Sequence, residues 1–94
     1  MSKTTPGQKV LVPTEVSAGA FPGEMLVTVI TDRGPISGFA RESFVVNKNN
    51  NKYLMAEVKK ITNETLTVKL FGSFFTTTGV ADLPRSTNFL KATG

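Results

Sequence analysis

Cysteine, histidine and tryptophan are absent from the 94 residues of this chain. Without cysteine the protein has no disulfide, no thiolate ligand for a metal and no cysteine nucleophile. Without histidine, the usual zinc sites and every catalytic triad that uses an imidazole base are excluded as well. An enzyme built from this composition would have to rely on carboxylates, serines and lysines.

Long apolar runs are missing too. None approaches the length of about 20 residues that a membrane-spanning helix needs. The first residues, MSKTTPGQ, lack the apolar segment of a signal peptide. We therefore expect a cytoplasmic protein that does not bind a membrane.

Acidic residues are outnumbered, with seven Asp and Glu against eleven Lys and Arg, for a formal charge of +4. Such a balance permits binding to nucleic acid or to another acidic partner. The basic residues are spread along the chain, however, and never form a run longer than two. This dispersed pattern is typical of a solubility feature, so the charge alone does not decide the partner.

What the sequence does contain is typical of β-strands. It is rich in threonine and valine and has seven phenylalanines, and Gly or Pro interrupts the apolar segments at short intervals. No window shows the i, i+3, i+4, i+7 recurrence of an amphipathic helix. The pattern predicts an all-β, single-domain SH3-like barrel of about five short strands, with an OB-like barrel or a small β-sandwich as alternatives.

One domain accounts for most of the chain. We assign residues 9–84 to the barrel, residues 1–8 to a flexible N-terminal tail and residues 85–94 to a C-terminal tail. Phe89 and Leu90 are an isolated apolar pair near the terminus, which predicts that this tail is partly docked on the core.

Prolines and glycines give local expectations within the domain. Pro13 interrupts the first predicted strand, KVLVPTEV, and so predicts a sheet edge or a bend. Pro22 and Gly23 fit the two central positions of a type II turn, because Pro presets φ and Gly supplies the positive φ. Gly38 predicts a β-bulge or a sharp bend. The segment RESFVV fits either a continuation of its strand or a separate short piece.

The most specific local pattern is a hairpin of KYLMAEVKKI with TLTVKLF. Aliphatic residues alternate in both strands, and their faces match only if a three-residue loop, Thr62-Asn63-Glu64, joins the strands. A two-residue turn at Asn63-Glu64 would mismatch the faces. The predicted register opposes four pairs of residues: Val58 and Val68, Ala56 and Leu70, Glu57 and Lys69, Met55 and Phe71.

Part of the chain resembles the first motif of the Sm family of RNA-binding barrels, through Gly34, Ile36 and Gly38. The sequence departs from that motif at Pro35, lacks its Asp-x-x-x-Asn spacing, and has FGSFFTTTG where the second motif carries an Arg-Gly pair. The resemblance therefore implies a small barrel and no particular function.

Candidate catalytic groups do not converge. No two carboxylates fall at a spacing that places them together on one face, and Ser37, Ser43 and Ser73 have no evident base other than a lysine. The phosphate-binding patterns GxxxxGK[ST] and GxGxxG do not occur. We expect a protein that is not an enzyme and that uses no cofactor or metal.

The hairpin's outer face, in contrast, combines aromatic and basic residues. It carries Met55, Lys59, Lys69 and Phe71, with GSFF directly after it. Such a face can stack unpaired bases and neutralise phosphates, or it can anchor a protein partner. The alternative is that Phe71 covers an open end of the barrel.

Adjacent phenylalanines extend this pattern. Successive side chains of a strand point to opposite faces, so Phe74 and Phe75 cannot both enter one core, and we expect Phe75 to be the exposed ring. The alternative is again structural, with Phe74 or Phe75 in the core.

These residues lead to one functional expectation and one alternative. We expect a non-enzymatic binding module that acts through protein–protein contact, as a monomer or weak homo-oligomer. The alternative is a single-stranded RNA- or DNA-binding protein that uses the same Lys/Phe face. A protein partner is slightly favoured because the positive charge is dispersed. The candidate partner-binding residues are Met55, Lys59, Lys69, Phe71 and Phe75.

Overall fold

Strands make up most of the protein in a computed structural model, which describes residues 5–19, 21–74 and 79–91. The described residues contain nine strands, one 3₁₀ turn at Glu42–Phe44 and no α-helix. In chain order the strands are β1 Lys9–Ala18, β2 Glu24–Thr31, β3 Gly34–Arg41, β4 Val45–Lys48, β5 Asn51–Ile61, β6 Thr65–Leu70, β7 Ser73–Phe74, β8 Val80–Pro84 and β9 Leu90–Lys91.

All strand pairs are antiparallel, in the order β7-β3-β2-β1-β5-β6-β8, with β4 also paired to β5 and β9 to β1. The sheet curls into a half-barrel, which confirms the predicted all-β fold and is consistent with the expected small barrel. The expected count of about five strands was too low, because β4, β7 and β9 are only two to four residues long and leave no alternating pattern.

Alternating residues from the long strands fill the concave side of this sheet. In β5, for example, Leu54, Ala56 and Val58 are all fully buried. The core consists of Val10, Val12, Val27, Val29, Ala40, Leu54, Ala56, Val58, Leu66, Val68, Leu70, Ala81 and Leu83. Phe89 packs against this core, whereas Leu90 lies in β9 beside β1 and is 37% exposed.

Strand β1 changes partner close to its proline. Residues 9–14 pair with β5, and residues 15–18 pair with β2. Pro13 therefore lies where the β2 side of the strand is still unpaired, and its missing N–H costs no ladder hydrogen bond. The expectation of a sheet edge at Pro13 was wrong, because β1 is a central strand, and the proline lies instead where the strand changes partner.

The Pro22-Gly23 turn has the expected geometry. The Glu24 N–H donates to the Phe21 carbonyl (3.2 Å), and Gly23 has a φ of +80°. The type II turn is confirmed. It leaves the Phe21 side chain 69% exposed at the tip of the loop.

No bulge occurs at Gly38, so the first of the two alternatives expected there was wrong. The β2–β3 register runs without a shift from Glu24↔Arg41 to Thr31↔Gly34. Instead, β7 passes so close to Gly38 that a Cβ there would lie 2.5 Å from the Cα of Phe74 and from the carbonyl oxygen of Ser73. The glycine is required by the approach of another backbone.

The hairpin of β5 and β6 has the predicted register in its core and a different loop. Ala56↔Leu70, Glu57↔Lys69 and Val58↔Val68 are paired as expected, and the Phe71 N–H donates to the Met55 carbonyl (3.1 Å). Beyond Val58 the register shifts by one residue, and the ladder resumes at Lys60↔Thr67.

A bulge at Lys59 and a two-residue turn at Asn63-Glu64 replace the expected three-residue loop. The turn is closed by Thr62 and Thr65: the Thr62 N–H donates to the Thr65 carbonyl, and the Thr65 N–H donates to the Thr62 hydroxyl, both at 2.9 Å. The bulge supplies the one-residue change of phase that the prediction had assigned to a longer loop.

Deleting Lys59 should therefore leave the protein folded. Lys60 would oppose Thr67 in an uninterrupted ladder, and every core residue would keep its face. Deleting Glu57 should unfold the protein, because Val58 would turn outward and a lysine would enter the core. Thermal unfolding, monitored by circular dichroism, compares the two deletion variants. Equal loss of structure in both would contradict the bulge.

Gly38→Ala should lower the free energy of unfolding by about 1–3 kcal/mol, the usual cost of forcing extra volume into a packed site. The physical reason is that β7 must move away from β3 to admit the methyl group. Ser17→Ala, at an exposed position of β1, is the control and should change the free energy by less than about 0.5 kcal/mol. Urea unfolding measures both, and a Gly38→Ala protein as stable as the control would refute the close approach.

Candidate binding face

The convex side of the β1-β5-β6 sheet is the surface that carries most of the predicted binding residues, and we call it the outer face. It is formed by the odd-numbered residues of these strands up to the bulge at Lys59, because their even-numbered neighbours enter the core. Its members on the three strands are Lys9, Leu11, Met55, Glu57, Lys59, Lys60, Thr67, Lys69 and Phe71.

Four apolar side chains form a line across this face, which we call the apolar row: Leu90, Leu11, Met55 and Phe71. Leu11 is opposite Leu90 on one side and Met55 on the other, and Met55 in turn is opposite Phe71. Leu11 is buried, Met55 and Phe71 are half-buried, and Leu90 is exposed. The row therefore reaches solvent most fully at Leu90 and in part at Met55 and Phe71, while Leu11, only 3% exposed, lies below the surface between them.

An aromatic contact covers part of Phe71. Its ring meets the ring of Phe44 edge to face, with centroids 5.3 Å apart and planes at 89°. Phe44 itself packs against the core. The contact holds Phe71, at one end of the apolar row, against the body of the domain, and Phe71 is half-buried there.

Four lysines, which we call the lysine cluster, lie beside the apolar row: Lys9, Lys59, Lys60 and Lys69. Lys9 and Lys69 are directly opposite Glu57 on its two neighbouring strands. Lys59 and Lys60 follow on the same strand as Glu57, and all four lysines are exposed. A single carboxylate therefore lies among four ammonium groups.

Glu57 is the centre of this charge arrangement. The Lys59 Nζ donates to the Glu57 Oε2 at 2.8 Å. This hydrogen bond and the charge of Lys59 hold the pKa of Glu57 below its usual value of 4.5. Desolvation opposes them, and the charges of Lys9 and Lys69 lower the pKa further by smaller amounts. Glu57 is therefore ionised at neutral pH.

The structure places four of the five sequence-predicted residues on the outer face. Met55 and Phe71 belong to the apolar row, and Lys59 and Lys69 belong to the lysine cluster. Phe75 lies outside the described residues, so its predicted exposure has no structural counterpart here. Its neighbour Phe74 is half-buried and packs against the core.

Sequence reasoning missed the contributions of Lys9, Leu11 and Leu90, because the pairing of β1 with β5 and β9 joins distant parts of the chain. It also missed Lys60, since regular alternation would have turned one of two consecutive lysines away from this face. The available signal was local: two adjacent lysines cannot alternate into a core, so Lys59-Lys60 itself points to a bulge.

A groove lies away from the outer face, where β1 changes partner. It has a volume of about 520 Å³ and is lined by Pro13, Ile30, Tyr53 and Pro84 among others, with Lys52 as its charged lining residue. Ile30 is 59% exposed, and the Thr14 hydroxyl is buried without a hydrogen-bond partner. This groove has neither the charge density nor the apolar row of the outer face.

Other kinds of site find little support in the described residues. They contain no group of three or more acidic side chains that could hold a metal ion. No helix among them has the length and apolar character needed to span a membrane. Comparison with protein-family models, with curated proteins and with solved structures finds no match for this chain.

The pKa of Glu57 tests the arrangement of charges. Carboxyl NMR should show Glu57 titrating below 4.5, and Lys59→Gln should raise this pKa more than Lys9→Gln does. Because the pKa is depressed in the folded state, the stabilisation from the ion pair is present above the pKa of the unfolded chain and is lost as pH falls through the folded pKa. A Glu57 pKa that Lys59→Gln leaves unchanged would contradict the ion pair.

Proposed function

We propose that this protein is a binding module without catalytic activity, and that it acts through contact of its outer face with another protein. The apolar row is the observation that carries the proposal. The solvent side of an antiparallel sheet normally alternates to polar residues, yet here four apolar side chains are aligned across four strands. Lysines border this row, and an apolar centre with a charged rim is typical of protein interfaces.

Single-stranded nucleic acid is the second candidate, and the lysine cluster is the observation that favours it. Two features of the face favour a protein instead. Phe71 is half-buried and held against Phe44, so it offers less ring surface to a stacking base than an exposed aromatic would. The carboxylate of Glu57 lies among the lysines, where it would repel a phosphate backbone.

The oligomeric state and the cellular location of the protein are part of the same proposal. We propose a cytoplasmic protein that is a monomer or a weak homo-oligomer. Pro84 lies in the terminal strand β8, and Pro35 lies in β3 outside the two residues that β7 pairs, where a proline opposes pairing with a strand of a second copy.

Leu90→Ser tests the use of the apolar row. Leu90 is its most exposed member, so the fold should survive while capture of the partner falls. Ile30→Ser is the matched control, because Ile30 is even more exposed but lies outside the outer face. The protein is immobilised and incubated with a lysate of the cells that make it. Bound proteins are cross-linked to it and are then identified and quantified by mass spectrometry. Equal capture by the wild type and Leu90→Ser would reject the proposed face.

The absorbance ratio at 260 and 280 nm separates the two candidates. The chain has one tyrosine and no tryptophan, so bound nucleic acid would dominate the ratio. We expect a ratio that is the same before and after a high-salt wash. A ratio that falls after the wash, together with loss of capture after nuclease treatment, would favour the nucleic-acid candidate.

A further inference from the structure

We infer that the segment bound at the outer face is an acidic stretch of a partner protein, and that the β-bulge at Lys59 builds the site that recognises it. This inference rests on the proposed function and adds the chemistry of the partner. It depends on three observations: where the bulge points its side chains, how few carboxylates face the lysine cluster, and where the apolar row lies relative to that cluster.

Because of the bulge, β5 presents two lysines to the outer face where a regular strand would present one. In a regular strand, one of two consecutive residues would point toward the core. With the register shift between Val58 and Lys60, Lys59 and Lys60 are both exposed, while Val58 before them is fully buried and Ile61 after them is half-buried. Bulges that re-aim side chains are common next to functional sites.

Most of this charge has no partner within the described residues. The ion pair between Lys59 and Glu57 engages one lysine, and Lys9, Lys60 and Lys69 form no other salt bridge there. Asp82 in β8, opposite Thr67, carries a further carboxylate, and it accepts a hydrogen bond from the Thr67 hydroxyl. Three ammonium groups are therefore available to carboxylates from outside the molecule.

The position of Glu57 favours an acidic polypeptide over a nucleic acid as the ligand. Because Lys9 and Lys69 are directly opposite it, this carboxylate lies in the middle of the cluster. A phosphate backbone, with a charge at every nucleotide, would have to cross it. A polypeptide with spaced carboxylates can place an uncharged residue there and its carboxylates over the lysines around it.

The apolar row specifies the rest of the segment. Leu11 and Met55 are two residues along their strands from Lys9 and Glu57, which is one step between successive side chains on the same face. A segment bound across the face thus meets ammonium groups on one flank and apolar side chains on the other. The complementary chemistry is a peptide in which acidic residues accompany leucine-like ones.

Fluorescence anisotropy with defined probes tests the inference on the full-length protein. The first probe is a short labelled peptide that mixes glutamates with leucines, and the second is the same peptide with glutamine in place of glutamate. We expect the first to bind more tightly and to weaken with added salt. Equal binding of the two peptides, or no binding of the acidic one, would overturn the inference.

Charge variants then locate the binding. Lys59→Gln with Lys60→Gln should weaken the acidic peptide by about two- to fivefold for each lysine, the range given by exposed ion pairs, and Glu57→Gln should tighten it. Lys48→Gln with Arg33→Gln is the matched control, because it removes the same charge from exposed positions off the outer face. A control pair that weakens binding as much as the Lys59/Lys60 pair would overturn the inference.

Two further outcomes separate this inference from the proposed function. A labelled oligothymidine that binds more tightly than the acidic peptide would replace the acidic partner with nucleic acid. Natural capture that is lost in Leu90→Ser but unchanged in the Lys59/Lys60 pair would leave the proposed function standing and refute the acidic partner. Circular dichroism of each variant shows whether a loss of binding comes from unfolding.

Discussion

The period-two alternation of β5 is the constraint on which both the core and the outer face depend. This strand pairs with β1 along one edge and with β4 and β6 along the other. Its phase therefore sets which residues of its neighbours are buried, and a slip of one residue would exchange core and solvent sides throughout. The bulge at Lys59 is compatible with this constraint because it falls beyond the three central core positions, Leu54, Ala56 and Val58.

How much of this arrangement the sequence predicts depends on how far apart along the chain the interacting residues are. The pairing of Val58 with Val68 follows from aliphatic alternation in two neighbouring strands, and it was predicted correctly. The loop was wrong because a bulge and a longer loop change the phase equally; the adjacent Lys59 and Lys60 and the hydroxyl of Thr62, which accepts from the Thr65 N–H, are the features that distinguish them. Gly38 was misinterpreted for another reason: the strand that requires it, β7, is two residues long. Leu11 and Lys9 reach the outer face through a pairing between distant segments, which no local pattern encodes.

The proline positions explain why binding should use a face of the sheet and not an edge. The two-residue turn after Thr31 makes Thr31↔Gly34 the hydrogen-bonded pair, so the next pair, Ile30↔Pro35, is not hydrogen-bonded and the nitrogen of Pro35 points to the free side of β3. Pro84 ends the opposite edge strand, β8. Both edges are thus poor templates for an added strand. Because neither edge readily accepts an added strand, we expect another molecule to be recognised by the side chains of the convex surface.

The curl of the sheet brings its two halves together at the turn between β2 and β3. In the described residues, one backbone hydrogen bond spans this point, from the Asp32 N–H to the Asp82 carbonyl at 2.9 Å, and no strand pairing joins β2 to β8. The half-barrel therefore has a seam. Local opening at this point breaks that one hydrogen bond, whereas full separation of the two halves would also divide the core to which Val29 of β2 and Leu83 of β8 both belong. The exchange of the Asp32 amide proton with solvent therefore records the local opening.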